Sequence, residues 1–466
     1  MRIAIALLLL CVTQLAAADK VDDYVRKEMA KQRIPGLTLA IVRDGKIVKS
    51  AGYGLADLDN DVKVKPETVF ETASITKQFT ATLVMMLAQE GKLRVDDKIN
   101  AYLPNPPDKW KDITIRHLLN HTSGFPTMQN GFKGISRMRT STTEEMYADV
   151  KSSEVVGTPG EKHAYSDVGY FLLGMIIEKV TGKKYSEALS DRILKPLQMD
   201  SSRVQDHLLP YKNLAKGYTL YTGPEVKGVP TLVNIRRIAD RGLTSHYGLY
   251  STVLDLAKWD AALYTDRLIN ESSKSQMWSF TKFADGSTWN YGFGWYVGER
   301  AGQRYTFHGG ITGTGIIRFP GLKLSVIVLT NLGWWGDGTG QGASPEKIVK
   351  ELAALVDPRL YLNAMPDPAP ATSAKARIVF EALAKGNVIK ESFTKEGAEI
   401  MAKYMADSLA AIKPLGDIRK FELLEITQKG REAEIRLYRV TGSKATGQFA
   451  FDFDPSGLIM DVYPQG

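Results

Sequence analysis

One stretch of this sequence is apolar on nearly every side when it is drawn as a helix. Its apolar residues recur at helical spacing and also fill the faces between: Ile75, Phe79, Leu83, Val84, Met85 and Leu87. Gly91 marks its end. A helix with no polar face must be covered by other elements on every side. The segment is therefore predicted to be a buried central helix.

Ser74 opens this helix, and Lys77 follows three residues later. That spacing places a hydroxyl and an amine on one helical face, at the end where backbone N–H groups point outward. Such an arrangement suits the formation of an acyl-enzyme. The same Ser-x-x-Lys pattern begins at three further serines, none of which precedes a long apolar helix: Ser279, Ser344 and Ser392. The setting therefore selects Ser74 and Lys77 as catalytic candidates.

The amino terminus has the pattern of a secretory signal peptide. Arg2 supplies a positive charge, residues 3–12 are apolar, and Ala16-Ala17-Ala18 offers a cleavage site before Asp19. We expect residues 1–18 to be removed and the protein to be periplasmic or secreted. The only cysteine, Cys11, lies in this segment, which excludes disulfides from the mature chain. A lipid anchor on Cys11 is the weaker alternative, because Leu10 precedes it where a small residue is wanted.

Length and charge limit the partners and the number of domains. With 466 residues, two domains are expected. The net charge of +8 is spread without basic blocks, so nucleic acid is not an expected partner. No later stretch approaches the roughly 20 apolar residues of a membrane span.

The order of predicted elements indicates an α+β fold for residues 19–362. A helix and a hairpin turning at Asp44-Gly45 come first, and four strands (291–297, 305–309, 315–319 and 324–330) and the helix 345–356 come last. The simplest closure is one antiparallel sheet built from both ends, flanked by the terminal helices, with an all-helical subdomain inserted. A Pro-rich linker, 363–372, then leads to a small α+β domain, 373–466, with helices at about 373–385 and 395–412 and four short strands.

Two weaker motifs have structural explanations. His117 and His121 are four residues apart, as in a metal pair, but no glutamate stands beside them and no third ligand is evident. We therefore interpret them as buried or capping histidines. The glycine-rich run 338–343 lacks a following βαβ unit and is interpreted as a loop. Neither a metal nor another cofactor is predicted.

A second polar loop enters a second apolar helix at Tyr165-Ser166-Asp167. This repeats the arrangement at Ser74, which favours Tyr165 as a partner of the nucleophile. Strict Tyr-x-Asn triplets at Tyr211 and Tyr361 lie in polar or terminal segments instead.

Taken in order, these residues resemble the penicillin-recognising serine hydrolases, which include class C β-lactamases, DD-peptidases, family VIII esterases and D-aminopeptidases. The resemblance covers about residues 21–356 and is carried by Thr72-Ala73-Ser74-Ile75-Thr76-Lys77, Leu118-Leu119-Asn120-His121-Thr122-Ser123-Gly124, Tyr165-Ser166-Asp167-Val168-Gly169-Tyr170, Gly248-Leu249-Tyr250-Ser251 and His308-Gly309-Gly310. It implies a β-lactamase/transpeptidase-like fold. The carboxy-terminal domain is similar to NTF2-like or cystatin-like folds.

The resemblance also implies a mechanism. Ser74 would attack a carbonyl, Lys77 and Tyr165 would share removal of its proton, and Tyr165 would protonate the leaving group. The backbone N–H groups of Ser74 and Ile311 would form the oxyanion hole, with Ile311 just past His308-Gly309-Gly310 on an edge strand. Glycines there would let a substrate approach the strand closely.

Two residues depart from the pattern of class C β-lactamases. His308-Gly309-Gly310 replaces Lys-Thr-Gly, so a permanent cation becomes a histidine that is largely neutral at pH 7, which favours less anionic substrates. Asp167 stands where Asn is usual. An ionised Asp167 near Lys77 would hold the ammonium charged, at roughly 4 kcal/mol for a pair 4 Å apart at an effective dielectric of about 20. Lys77 would then be an electrostatic partner of Tyr165 instead of a proton acceptor. Alternatively, Asp167 is protonated or turns away to cap the following helix.

Three functions remain open at this point. The first is an exported serine hydrolase acting on small-molecule esters, amides or D-amino-acid peptides, with cell-wall peptides among the candidates. The second is a β-lactamase or DD-carboxypeptidase. The third is a catalytically inactive ligand-binding protein. The loops 128–142, 221–245 and 334–343 carry no motif that identifies a substrate, and the role of residues 373–466 is open.

Overall fold

The computed structural model describes residues 20–126, 132, 140–206, 209–223, 226, 230–235, 242–334, 340–429 and 433–464. The predicted signal peptide with Cys11, and much of the loop 128–142, lie outside these residues. The chain forms two compact units. One is built from residues up to Pro358, and the other from Arg359 onward together with Gly286–Asn290 and Glu299–Gly302. The predicted linker 363–372 falls inside the second unit, and the division of the sequence into domains stays a prediction.

The first unit is organised around a seven-stranded sheet. In their order across the sheet, its strands are β11 (Tyr296–Arg300), β12 (Gln303–Gly310), β13 (Thr314–Phe319), β14 (Leu324–Thr330), β1 (Gly36–Arg43), β2 (Lys46–Asp57) and β3 (Val62–Lys63). The β1–β2 hairpin turns at Asp44 and Gly45, whose φ angles are 51° and 72°. Positive φ at both positions is the conformation that Asp-Gly hairpins favour, which confirms the predicted turn.

The middle of the sheet joins the two ends of the first unit. β1 pairs antiparallel with β14, with Leu37 opposite Thr330 and Arg43 opposite Leu324. Every residue of β14 is buried, as is all of β1 before Arg43. Strands that are buried on both faces have nearly continuous apolar sequences, and the sequences of β1 and β14 show this pattern. The predicted closure from both ends is confirmed.

Helices α1 (20–32), α7 (Val253–Ala262) and α9 (Pro345–Val356) cover the sheet, and α8 (Glu271–Met277) contacts the central helix. α7 contacts β1, β2 and β14, and α9 contacts β12, β13 and β14. The central helix α2 (Thr76–Gln89) is buried at every position from Thr76 to Met85. Phe79 stacks on Trp259 of α7 with ring centroids 4.1 Å apart. The predicted buried central helix is confirmed.

The inserted region between the two halves of the sheet is mainly helical. Its helices are α3 (Ile115–Leu119), α4 (Thr143–Ser152), α5 (Asp167–Thr181) and α6 (Tyr185–Leu189). Short strands accompany them in two small sheets, formed by β4 (Phe70–Glu71), β5 (Arg203–Val204) and β8 (Leu249–Ser251), and by β6 (Tyr218–Tyr221), β7 (Thr231–Asn234) and β15 (Gly340–Gln341). Sequence patterning missed these strands because segments of two to four residues show no measurable alternation.

The strand predicted at 291–297 begins later than expected. Only an isolated bridge joins Tyr291 to Tyr296, and Gly294 between them has φ 75°. This glycine lets the chain turn before β11. The two-residue strands β9 (Thr281–Lys282) and β10 (Thr288–Trp289) precede it.

The second unit is a four-stranded antiparallel meander with helices. Its elements are α10 (Pro370–Leu383), α11 (Lys395–Lys403), α12 (Met405–Ile412), β16 (Ile418–Lys429), β17 (Ala433–Gly442), β18 (Thr446–Phe453) and β19 (Ile459–Pro464). The single helix predicted at 395–412 is broken at Tyr404. α10 starts at Pro370, inside the predicted linker, because proline is well accommodated in the first turn of a helix. Within the described ranges no helix combines the length and apolar character needed to cross a membrane.

Candidate active site

The candidate nucleophile lies in a strained turn. Ser74 is the middle residue of a 3-10 turn, Ala73–Ile75, that leads into α2. Ala73 has φ 46°, in the left-handed region that residues other than glycine seldom occupy. Such a conformation costs free energy and persists only where the surroundings hold it, and it concentrates at functional sites.

Three threonine hydroxyls hold this turn. The Thr72 hydroxyl donates to the Leu249 carbonyl at 2.7 Å, and that of Thr314 donates to the Thr72 carbonyl at 3.0 Å. The Thr76 hydroxyl donates to the Ala73 carbonyl at 2.6 Å and accepts from the Leu249 N–H at 2.9 Å. Neighbouring strands β8 and β13 therefore fix the backbone on both sides of Ser74.

Lys77 lies beneath the serine with three polar partners. Its Nζ is 3.0 Å from Ser74 Oγ, 2.7 Å from Asp167 Oδ1 and 2.8 Å from the His246 carbonyl oxygen. A protonated amine donates three hydrogen bonds and satisfies all three partners. A neutral amine can donate to Asp167 and the carbonyl while accepting from the Ser74 hydroxyl. The same geometry therefore accommodates both protonation states.

Burial and charge act on the Lys77 amine in opposite directions. Its side chain is fully buried, and removal from water lowers its pKa below the ordinary value of a lysine. The carboxylate of Asp167 raises the pKa again, but burial has the larger effect. A lysine with a lowered pKa releases its proton more readily than an exposed lysine does.

Tyr165 contacts the same serine. Burial raises the pKa of the Tyr165 phenol well above its ordinary value, and the charge of Asp167 raises it further, whereas a hydrogen bond with Ser74 lowers it. Lys77 Nζ lies over the phenol ring, 4.9 Å from its centroid. The structure thus brings Ser74, Lys77 and Tyr165 together.

Asp167 is the first residue of α5 and turns toward Lys77, not away from it. Its side chain is 15% exposed, while that of Lys77 is 0% exposed. The interpretation in which Asp167 turns away as a helix cap is therefore wrong. A carboxylate in the first turn of a helix is also favoured by the helix dipole.

His308 is buried, with 1% of its surface exposed. Its Nε2 is 2.9 Å from the Tyr291 hydroxyl, and its Nδ1 is 2.8 Å from the Gly309 carbonyl oxygen. Because a carbonyl can only accept, Nδ1 carries the proton and Nε2 accepts from Tyr291. Burial, with Lys77 nearby, lowers the pKa of His308 to about 3. The imidazole is therefore neutral at pH 7, as expected from the sequence.

Strand β12 runs very close to the nucleophile turn. A side chain at Gly310 would place its Cβ 2.4 Å from both Thr314 Oγ1 and the Thr72 carbonyl oxygen, so only glycine fits there. Gly309 is less crowded, with the nearest atom, of the Phe307 ring, at 3.1 Å.

Ile311 lies in the turn between β12 and β13 instead of on an edge strand, since the Gly313 N–H donates to the Gly310 carbonyl at 2.9 Å. The edge strand is β11. Throughout the described segments, the N–H groups of Ser74 and Ile311 donate to no backbone carbonyl.

The other sequence candidates have structural roles. His117 caps α3, with its Nδ1 accepting from the Thr114 N–H at 3.2 Å, and His121 is fully buried. The interpretation of both as buried or capping histidines is confirmed. Lys347, in a second Ser-x-x-Lys copy, pairs with Glu28 at 2.6 Å.

Sequence reasoning missed two contributors to the site. Tyr291 is fully buried and donates a hydrogen bond to His308 Nε2, but it lies in a segment whose sequence predicts an ordinary strand. The His246 carbonyl holds Lys77, and a backbone group leaves no signal in side-chain identity. The glycines around Tyr291 were the one available sign of an irregular segment.

Comparison with known proteins places this geometry in context. The family model described as Beta-lactamase matches residues 21–340. Penicillin-binding protein 4* of Bacillus subtilis (strain 168) is 30% identical over 65% of this chain and 69% of its own length. Protein flp of Staphylococcus aureus (strain MW2) is 33% identical over 46% of this chain. This match spans 43% of Protein flp, less than half of that relative.

Solved structures show the same likeness. The octameric penicillin-binding protein homologue from Pyrococcus abyssi is 27% identical, with a TM-score of 0.63, over 93% of this chain and 90% of its own. A D-amino acid amidase from Ochrobactrum anthropi SV3, complexed with D-phenylalanine, is 25% identical, with a TM-score of 0.60, over 75% of this chain and 98% of its own. The chain belongs to the beta-lactamase family of serine hydrolases.

Proposed function

We propose that this protein is an exported hydrolase that cleaves ester or amide bonds through an acyl-enzyme on Ser74. The observation that carries the proposal is the contact of two proton-handling groups with one hydroxyl: Lys77 Nζ at 3.0 Å and the hydrogen-bonded phenol of Tyr165. A serine hydroxyl is a weak nucleophile until a neighbouring base removes its proton.

In the proposed reaction, Ser74 Oγ forms a bond to the carbonyl carbon as its proton passes to Lys77, with Tyr165 in the same hydrogen-bonded group. Tyr165 then donates a proton to the leaving alcohol or amine as the scissile bond breaks. Water attacks the acyl-enzyme by the reverse proton route and releases the acid. The lowered pKa of Lys77 and the raised pKa of Tyr165 support this order, with lysine as acceptor and tyrosine as donor.

The oxyanion would be held by the N–H groups of Ser74 and Ile311. The close approach of β12 to the nucleophile turn at Gly310 supports this, because it brings the turn that carries Ile311 toward Ser74. A single such donor is typically worth about 3 kcal/mol of the barrier.

The proposed substrates are esters, amides or D-amino-acid amides in preference to β-lactams. His308 supports this choice, since its neutral ring is committed to Tyr291 and Gly309 and offers no cation to a substrate carboxylate. The likeness to a D-amino acid amidase supports it as well. Cell-wall peptides stay within the proposal as a natural source of D-amino acids, and the predicted signal peptide would deliver the enzyme to the periplasm or the exterior.

Two experiments test the proposal. A fluorophosphonate probe should label the wild-type protein and not Ser74→Ala, and equal labelling would contradict the assignment. Rates on p-nitrophenyl butyrate, a D-amino acid p-nitroanilide and nitrocefin should then rank the substrates. Efficient nitrocefin hydrolysis with slow ester turnover would favour the β-lactamase alternative, and labelling without turnover of any substrate would favour a ligand-binding protein.

A further inference from the structure

A buried histidine, His121, forms hydrogen bonds with the chain on both sides of Tyr165. The Nδ1 of His121 accepts a hydrogen bond from the Ser166 N–H at 3.1 Å. The backbone carbonyl of His121 accepts another from the Ala164 N–H at 2.8 Å. One residue therefore holds the N–H groups of the residues before and after Tyr165, and it restrains where the phenol leaves the backbone.

The imidazole also packs on the phenol itself. The ring centroids of His121 and Tyr165 are 4.2 Å apart, with an angle of 38° between the planes. Tyr291 and Tyr170 contact the other parts of the imidazole, with centroids 4.7 Å and 5.1 Å away. Since cores of this density leave little room for side chains to shift, the imidazole restrains the phenol from one side.

The hydrogen bonds fix the state of the histidine. Because Nδ1 accepts from Ser166, the proton of neutral His121 must be on Nε2, which has no hydrogen-bond partner among the described residues and is fully buried. Protonation of Nδ1 would break the bond to Ser166. Burial lowers the pKa of His121 well below its usual value, with His163, Lys77 and His308 adding to the effect. His121 therefore stays neutral, with its Nδ1 available to accept the hydrogen bond from the Ser166 N–H.

His121 has φ 60°, so the chain turns in the left-handed conformation at this residue. An ordinary capping or filler histidine needs no such backbone. The turn lets the carbonyl and the side chain of one residue reach peptide groups on both sides of Tyr165. Left-handed backbone held by the surroundings is concentrated at functional sites.

We propose that His121 is the positioning residue for Tyr165, holding the phenol at Ser74 through two backbone hydrogen bonds and a ring contact. The inference rests on the proposed role of Tyr165 as proton donor. His121 acts through Tyr165 and touches no substrate, so its loss should lower kcat and leave KM nearly unchanged.

Two substitutions distinguish the hydrogen-bonding role of His121 from a role in packing alone. His121→Ala removes the ring and the Nδ1 acceptor, and kcat should fall by about 10²-fold, the effect of a misplacement of about 1 Å. His121→Asn suits a left-handed backbone and supplies an acceptor for the Ser166 N–H, so it should retain at least about tenfold more kcat than the alanine variant. His117→Ala is the matched control, because it removes a histidine of the same segment that caps α3 through the Thr114 N–H.

A double-mutant cycle tests whether the effect passes through the phenol. Activity per molecule is normalised to fluorophosphonate-labelled Ser74, and thermal unfolding is recorded for each variant, so that misfolded protein does not enter the rates. In a Tyr165→Phe background, His121→Ala should cause less than about a threefold further loss.

The outcomes distinguish the two proposals. An unchanged kcat in Tyr165→Phe would overturn the role of Tyr165 in the proposed function. A reduced kcat in Tyr165→Phe with normal kcat in His121→Ala would overturn the positioning role alone. Three other results would also overturn the positioning role. They are an equal loss of kcat on His121→Ala in the wild-type and Tyr165→Phe backgrounds, equal kcat of His121→Ala and His121→Asn, and a loss in His117→Ala as large as that in His121→Ala.

Discussion

Lys77 and Asp167 form a buried ion pair in which Nζ and Oδ1 are 2.7 Å apart and the lysine side chain has no exposed surface. The pair joins the start of α5 to the nucleophile helix α2 directly beneath Ser74. The charge on Asp167 raises the pKa of Lys77 and of Tyr165, the two groups proposed to handle the serine proton. We therefore predict that residue 167 tunes the proton chemistry of the site.

Asp167→Asn should shift the pH–rate profile to lower pH. The carboxylate raises the pKa of Lys77 and of Tyr165, so its removal lowers both values. A base that must be deprotonated to act then becomes available at lower pH, and the rising limb of kcat/KM moves in that direction. Asp191→Asn, which removes an exposed partner of Lys183 and Lys195, is the control and should leave the profile in place. An unshifted limb in Asp167→Asn would show that the residue does not tune the site.

Lys77→Arg tests whether the lysine accepts a proton or acts only through its charge. Arginine keeps the positive charge but cannot lose its proton at working pH, so a proton acceptor is lost while the cation remains. We expect kcat to fall about 10²- to 10⁴-fold, the usual contribution of a general base. Single-turnover acylation by p-nitrophenyl butyrate measures the step directly. Near-normal acylation would assign Lys77 an electrostatic role.

The sequence predicted the frame of the site because each part sits next to a long apolar segment. The buried helix behind Ser74 and the one behind Tyr165 have all-round apolar patterns, which few alternative structures satisfy. Strands β1 and β14 were predictable for the same reason. The local sequence pattern was sufficient to predict a helix or strand wherever consecutive residues are buried.

The rest of the site depends on contacts between distant segments. Tertiary packing, which a local pattern does not encode, determines three of its features. These are the φ of Ala73, the turn around Ile311 and the hydrogen bonds from His121 to the residues beside Tyr165. His121 was identified as buried, but burial alone does not show what a histidine holds. The direction in which Asp167 turns was likewise undecided, because both alternatives suit the first residue of a helix.

Gly310→Ala should reduce activity through geometry alone. The added methyl group would meet the Thr72 carbonyl and Thr314 Oγ1 at 2.4 Å, so β12 must move away from the nucleophile turn. A displacement of about 1 Å at a reacting centre costs about 10²-fold in rate. Gly321→Ala is the control, because the nearest atom to its added Cβ is 3.8 Å away. Rates per fluorophosphonate-labelled molecule provide the measurement, and equal rates in the two variants would contradict the close approach.

Asp260→Asn should destabilise the fold and leave chemistry intact. Arg318 of β13 is fully buried and pairs with Asp260 of α7, which also accepts from the Ser325 hydroxyl at 2.7 Å. Breaking a buried pair leaves an uncompensated charge and costs about 3–5 kcal/mol. Urea unfolding should show that loss. Asp96→Asn, which breaks an exposed pair with Arg116, should cost less than about 1 kcal/mol. Equal losses in the two variants would mean that burial does not set the cost.

Histidines that are largely removed from water should make the fold sensitive to acid. Burial lowers the pKa of His163 and of His308 to about 3, whereas in an unfolded chain both titrate near 6.5. Below pH 6.5 the unfolded chain takes up protons that the folded chain does not, so stability is complete above that pH and declines toward pH 3. At pH 5 each histidine should cost about 2 kcal/mol of unfolding free energy. Urea unfolding at pH 7.5 and pH 5 measures the difference.

The matched variant for this prediction is His163→Gln, because glutamine does not titrate and His308 is left in place. Its unfolding free energy should fall by about 2 kcal/mol less than that of the wild type between pH 7.5 and pH 5. The comparison within each protein removes the constant effect of the substitution on packing. If wild type and variant lose equal stability over this pH range, His163 takes up its proton as readily in the folded protein as in the unfolded chain, and the assignment of an imidazole that stays neutral beside the site would be wrong.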